Sequence, residues 1–208
     1  MFFALVIIFA YPFLNLMGDG RRQSFYLAQF FCKVILFLSF VRANVFGKEN
    51  VLDEQNFILA VNHSSFIDSV LLLAYFPRFF RIIAHNSGFG IPVFKQFYRA
   101  LGFIRSDINM KIKDQLILYQ ALKRGEDVLV YSFMRKRSVK LVKFTDEIVN
   151  FSKHSGIKIL PVRIDFANKL LPLGRFLLQG FRAKIEIKKP AFFENREDLS
   201  HAMQDFFD

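Results

Sequence analysis

Two apolar stretches open the chain and differ from everything that follows. Residues 1–17 are apolar except for Asn15, with Pro12 inside the run, and Gly18-Asp19-Gly20-Arg21-Arg22 then breaks it. A second apolar stretch covers residues 25–41, interrupted by Gln29, Lys33 and Ser39. From Val45 onward, short apolar runs alternate with amphipathic ones. Strands are expected over 57–61, 79–84, 101–105, 127–131, 157–164 and 182–188, and helices over 65–76, 92–99, 107–124, 144–154 and 197–207. Within 107–124 the residues Ile108, Ile112, Leu116, Tyr119 and Leu122 recur at three- and four-residue steps, the helical period. Pro77, Gly125 and Gly156 end three of these helices. Strands regularly separated by helices favour an α/β fold with a largely parallel sheet flanked by helices. The expected division is a membrane-anchoring helical pair over 1–44 and an α/β domain over 45–208.

The opening pair allows two membrane arrangements. Seventeen helical residues span about 26 Å, short of the roughly 30 Å hydrocarbon core. Lys33 in mid-run is costly at a bilayer centre. A pair dipping into one leaflet is therefore favoured over a spanning hairpin, with both ends on the cytoplasmic side. A buried core hairpin accounts poorly for a first segment that is apolar on every face. The start lacks a basic region, and Gly-Asp-Gly-Arg-Arg is no small-residue cleavage pattern, which argues against a signal peptide. Deleting residues 1–43 is expected to release the domain from membranes in part.

Composition sharpens this picture. The 208 residues fit one domain with a short appendage. They are 53% hydrophobic, with 29 Phe and no Trp, yet carry a formal net charge of +11. Apolar and basic together suggest a protein held at an anionic membrane surface. Nothing resembles an aromatic base-stacking motif, so nucleic acid is not an expected partner. The single Cys32 forms no disulfide framework within one chain and is expected to be a small buried hydrophobe. The histidines His63, His85, His154 and His201 show no short metal-ligand spacing, and no metal is expected.

The candidate chemistry lies in Asn62-His63-Ser64-Ser65-Phe66-Ile67-Asp68. The apolar run 57–61 precedes it and Val70-Leu71-Leu72-Leu73 follows, which reads as strand, polar turn, helix. Open α/β sheets place their sites at such carboxyl ends of strands. Residues five apart on one helix would point about 140° apart. His63 therefore belongs in the turn and Asp68 in the first helical turn, where the carboxylate can bond one ring nitrogen. Such a carboxylate fixes the tautomer and raises the basicity of the other nitrogen, giving a general base for a hydroxyl. Ser65 with Asp68 also matches the Ser-x-x-Asp helix-start signal, under which Asp68 is a capping residue and His63 an ordinary loop histidine.

Residues 56–164 resemble the glycerolipid acyltransferase family. The likeness begins with Asn62-His63 and Asp68, the family's His-x4-Asp motif after a hydrophobic strand. It continues through Ile91-Pro92-Val93-Phe94 and Ala100-Leu101-Gly102-Phe103-Ile104, and ends in Ile159-Leu160-Pro161-Val162. The opening apolar pair is similar to the two-helix anchor of bacterial members. The resemblance implies a lipid-metabolic transferase at the cytoplasmic face of a bacterial inner membrane. Its partners would be membrane lipids, an acyl thioester on coenzyme A or acyl carrier protein, and a lysolipid-like acceptor. The acyl carrier is a substrate, and no cofactor is implied. His63 and Asp68 are then catalytic, and Asn62, Arg105, Arg135, Lys136 and Arg137 are candidates for substrate binding.

Two blocks depart from the family's pattern. By register Asp107 matches an acidic residue, and Ile108 stands where an arginine holds the acceptor phosphate; Arg105 lies three positions earlier. The family's Pro-Glu-Gly-Thr-Arg is replaced by Ser132-Phe133-Met134-Arg135-Lys136, which keeps cations and loses the glutamate and the glycine. Such a chain has either changed acceptor while keeping its chemistry or become a non-catalytic membrane-bound interaction protein on a retained fold. The intact His63/Asp68 pair favours the enzyme.

Overall fold

The computed structural model describes residues 18–51, 56–63, 67–85, 92–106, 112–132, 146–165 and 182–204, together with 7, 10, 11, 13, 15, 16 and 144. Helix α1 is Gly20–Leu38, followed by strand β1 (Arg42–Phe46) and a 3-10 turn over Lys48–Val51. Then come β2 (Ile58–Val61), α2 (Ile67–Tyr75), β3 (Phe80–His85), α3 (Pro92–Ala100) and β4 (Ile104–Ser106). The chain continues through α4 (Ile112–Lys123), β5 (Asp127–Tyr131), α5 (Asp146–Ser155), β6 (Ile159–Asp165), β7 (Arg182–Ile187) and α6 (Arg196–Gln204).

The strands form one seven-stranded sheet in the order β1-β7-β6-β2-β5-β3-β4. Only β6 and β7 pair antiparallel; the other described pairs are parallel. The largely parallel sheet expected from the sequence is present. β2 lies at its centre, and all four of its residues are buried, as a strand covered on both faces requires.

Side chains alternate across the sheet and build two cores. Phe57, Leu59, Val61, Leu129, Leu160 and Val162 share one face with Phe25 and Leu36 of α1 and Leu71 and Leu72 of α2. Ile58, Ala60, Val128 and Ile159 share the other with Leu118 and Leu122 of α4, Ile148 of α5 and Leu199 of α6. The arrangement is therefore three layers, helix–sheet–helix. At the amino-terminal end of the strands, Asp127 ties β5 to β2: its Oδ1 accepts from the Phe57 amide at 3.0 Å, and Arg78 lies 3.1 Å from Oδ2.

The expected boundary after residue 44 is corrected by this packing. It cuts through β1, which pairs with β7 from Arg42↔Arg182 to Phe46↔Glu186. The segment from α1 onward also belongs to the α/β body, because Phe25 and Leu36 are 1% and 0% exposed in its main core. The β1 sequence Arg-Ala-Asn-Val-Phe alternates only between half-buried and exposed at a sheet edge, so its apolar signal is faint. Cys32, on the same helix, packs against this core, and burial pushes its thiol up to about 12.

The turn after β1 has a strict requirement. Gly47 has φ +76°, and a Cβ there would overlap the Ile187 carbonyl oxygen, which already accepts from Asn50 Nδ2 at 2.9 Å. Gly47→Ala is expected to cost about 2–4 kcal/mol, combining backbone strain with overpacking. Urea unfolding checks this; an unchanged midpoint would show that the edge of the sheet adjusts freely.

Candidate active site

β2 leaves the sheet at Val61, and α2 begins at Ile67. His63 lies in the connection and Asp68 in the first turn of the helix. The two meet, with His63 Nδ1 3.1 Å from Asp68 Oδ2. The Asp68 side chain is fully buried, whereas His63 is 26% exposed. A neutral imidazole in this position donates from Nδ1 to the carboxylate and presents the Nε2 lone pair. The geometry is that of an oriented base, as the five-residue spacing suggested.

Topology explains why the pair sits here. After β2 the chain crosses to the face carrying α1 and α2, as Leu71 and Leu72 show. After β5 it reaches the opposite face, where Phe144 and Ile148 pack. β2 and β5 are parallel neighbours, so their carboxyl ends form a point at which successive connections diverge. Open α/β sheets place ligands in the crevice at such a point.

Main-chain groups around the pair are tied down on both sides. Asn62 Nδ2 donates to the Ile164 carbonyl at 2.8 Å, and the Ile164 amide donates to Asn62 Oδ1 at 2.7 Å. The carboxamide thus imitates one more peptide of the β2–β6 ladder, beyond the last paired residues Val61↔Val162. The side chain of Asn62, a candidate for substrate binding, braces the His63 loop against β6. On the β5 side, the His63 amide donates to Ser132 Oγ at 3.2 Å, and the Ser132 amide donates to the Val61 carbonyl at 2.8 Å.

Tyr131 and Ser69 complete the surroundings and were not singled out in the sequence. The Tyr131 ring lies 4.5 Å from the His63 ring, centroid to centroid, with an interplanar angle of 34°. Its hydroxyl and Ser69 Oγ are 2.7 Å apart. Burial, with a smaller contribution from the Asp68 carboxylate, raises the Tyr131 pKa, so the phenol stays neutral. The pairing that brings them together is seen only in the fold: Val61 pairs with Tyr131, and on two adjacent parallel strands residue 131 faces the same way as residue 61.

The candidate cations fall differently. Arg105 is on β4, where its backbone pairs with Ala84 at the carboxyl end of the sheet. Three inter-strand steps separate β4 from β2, about 14 Å at ordinary spacing. Arg135, Lys136 and Arg137, with Ile108 and Phe133, lie outside the described residues. The Asp127 carboxyl is pushed up to about 6 by burial against the opposing pull of Arg78. It lies at the amino-terminal end of β5, away from the His63 end, and is a structural ion pair.

Comparisons with known proteins bear on the family and the fold. Residues 42–165, which include every residue of the His63 site, match the acyltransferase family model. No curated protein matches the sequence. Among solved structures, the chain is similar to the crystal structure of the 1-acyl-sn-glycerophosphate (LPA) acyltransferase PlsC from Thermotoga maritima. The TM-score is 0.73 at 22% identity, over 99% of this chain and 90% of that one, a likeness that establishes the fold. A family match over more than half of its length, on an α/β fold of the same architecture, makes this chain a member of the acyltransferase family.

Proposed function

We propose that the protein is a membrane-associated O-acyltransferase that moves a fatty acyl group from an acyl thioester to a hydroxyl of a lysolipid-like acceptor. The observation that carries this is the contact of buried Asp68 with His63 Nδ1 at the carboxyl end of the central strand. His63 Nε2 takes the acceptor's hydroxyl proton as the oxygen attacks the thioester carbonyl carbon. Asp68 stabilises the imidazolium so formed. Collapse of the tetrahedral oxyanion breaks the carbon–sulfur bond, and the departing thiolate takes the proton back from His63. The products are an ester and a free thiol, carried by coenzyme A or acyl carrier protein. No covalent acyl-enzyme is needed.

Purified protein on lipid vesicles is the test: thiol release from an acyl thioester, measured with and without a panel of lysolipids. Release that depends on a lysolipid supports the reading. No release with any of them would favour the non-catalytic interaction protein.

Membrane association rests on one face of α1. Arg22, Tyr26, Phe30, Lys33 and Phe37 follow at steps of three and four, so they form a single exposed stripe. Phe30 is 59% exposed and Phe37 76%. Phe13 and Leu16 of the first apolar segment are exposed as well. Among the described residues no helix is long and apolar enough to cross a membrane. The stripe fits a helix lying in the interface, with aromatic rings in the lipid and Lys33 reaching back to the headgroups. A coenzyme A or acyl carrier protein thioester as the proposed donor supports the cytoplasmic leaflet. Replacing Phe30 and Phe37 together by Ser is expected to weaken binding to anionic vesicles by roughly thirtyfold or more. Vesicle sedimentation reads this out, and unchanged partition would remove α1 from the contact.

A further inference from the structure

We infer that Tyr131 is a positioning residue of the dyad, whose ring holds the His63 imidazole in place and stabilises it as a cation during the reaction. The inference rests on the proposed general-base role of His63. It starts from a pair of rings 4.5 Å apart and tilted by 34°, close enough for an imidazolium to be attracted to the phenol's π face.

Three features make Tyr131 suited to this. It sits at the end of β5, whose backbone is fixed to β2 through Val61↔Tyr131 and through the Ser132 amide on the Val61 carbonyl. Its hydroxyl is engaged with Ser69 on α2, one residue beyond Asp68, so ring and carboxylate are referenced to the same helical turn. Finally, the phenol stays neutral, so it adds no anion to compete with the carboxylate. Among the described residues, the titratable groups facing the imidazole are Asp68 from α2 and Tyr131 from β5.

The two contacts divide the work. Asp68 holds Nδ1 in the ring plane, and a hydrogen bond at one atom still leaves the ring free to rock about that bond. Tyr131 closes off that motion from the ring's face. When Nε2 takes the acceptor proton, the positive charge spreads over the ring, and the π face then interacts with it more strongly than with the neutral imidazole. A contact that strengthens in the transition state raises turnover without changing donor binding.

The test separates ring from hydroxyl. Tyr131→Phe keeps the ring and loses the Ser69 contact; Tyr131→Leu removes both, and Tyr131→Met fills a similar volume should the leucine variant not fold. The His63 titration is followed by NMR on specifically labelled histidine, and turnover by thiol release. The leucine and methionine variants should lower the His63 pKa by about half a unit, from an ordinary cation–π contribution. They should lower kcat by roughly fivefold to thirtyfold with the donor KM unchanged, while Tyr131→Phe stays within about threefold of the parent. An unchanged His63 titration in both leucine and methionine variants would overturn the inference, as would an equal fall in the phenylalanine variant. Full turnover in His63→Ala would instead remove the general-base reading, which the NMR titration does not depend on.

Discussion

His63→Ala is expected to reduce lysolipid-dependent thiol release by about a hundredfold or more, the usual contribution of a positioned general base. No other imidazole can take over among the described side chains: His154 is exposed on α5, with Nδ1 2.7 Å from the Asn150 carbonyl, and His201 is exposed on α6. Asp68→Asn should fall nearly as far while leaving the fold intact. An amide can turn either end toward Nδ1, and when its NH2 faces the ring it stabilises the tautomer with the proton on Nε2, which cannot accept one from a hydroxyl. It also loses the charge that steadies the imidazolium. Thermal unfolding of both variants beside the kinetics distinguishes lost chemistry from lost structure. A folded His63→Ala protein with wild-type turnover would show that the chemistry runs elsewhere.

Lysophosphatidic acid is expected to be a poor acceptor, outrun by lysolipids with other headgroups. The resembled family holds the acceptor phosphate with an arginine and its glycerol region with a glutamate; Ile108 and Phe133 occupy those positions in this sequence. Charge-assisted contacts of this kind contribute about 1.5–3 kcal/mol each. Without both, the acceptor weakens by roughly two to four powers of ten. Phe133 offers an apolar side chain at a position where the family offers a carboxylate, which suits a bulkier or less polar headgroup. The measurement is a competition among lysophosphatidic acid, lyso-ornithine lipid and lysophosphatidylethanolamine under one donor. Lysophosphatidic acid winning would mean that Arg135, Lys136 and Arg137 have replaced the missing contacts.

The dyad was legible from the sequence because its spacing admits few geometries. Residues five apart cannot share a helical face, so an engaged His63 and Asp68 demand the strand–turn–helix that the structure shows. The parallel sheet was legible because strands separated by helices recur along the chain, and 57–61 is a continuous apolar run of the kind a strand covered on both faces needs. β1 was lost because an edge strand with polar members at alternate positions resembles a loop. Tyr131 was lost because its role depends on which strand lies beside β2. The order β2-β5-β3 places β5 there even though β3 follows β2 along the chain, and nothing local to residue 131 reports that crossover. The bracing role of Asn62 was missed for a similar reason. A polar residue beside the His-Asp pair invites a substrate role, and nothing local to it announces its hydrogen-bond partner on β6, 102 residues away.

Helix α1 has consequences for how this protein can be handled. The face that meets solvent and the face that meets Leu71 belong to the same nineteen residues, Gly20–Leu38, so the proposed membrane contact and the folding of the domain share one element. Cutting the chain at residue 43 would not yield a detached catalytic fragment. It would uncover one side of the sheet, take away Phe25 and Leu36, and trim the first two residues of the edge strand. The proposed membrane contact is therefore to be removed by replacing the outer stripe residue by residue, with the inner one untouched. In the proposed membrane-bound arrangement α1 is the footing of the catalytic body, and His63 then stands at a fixed height above the surface on which that helix rests.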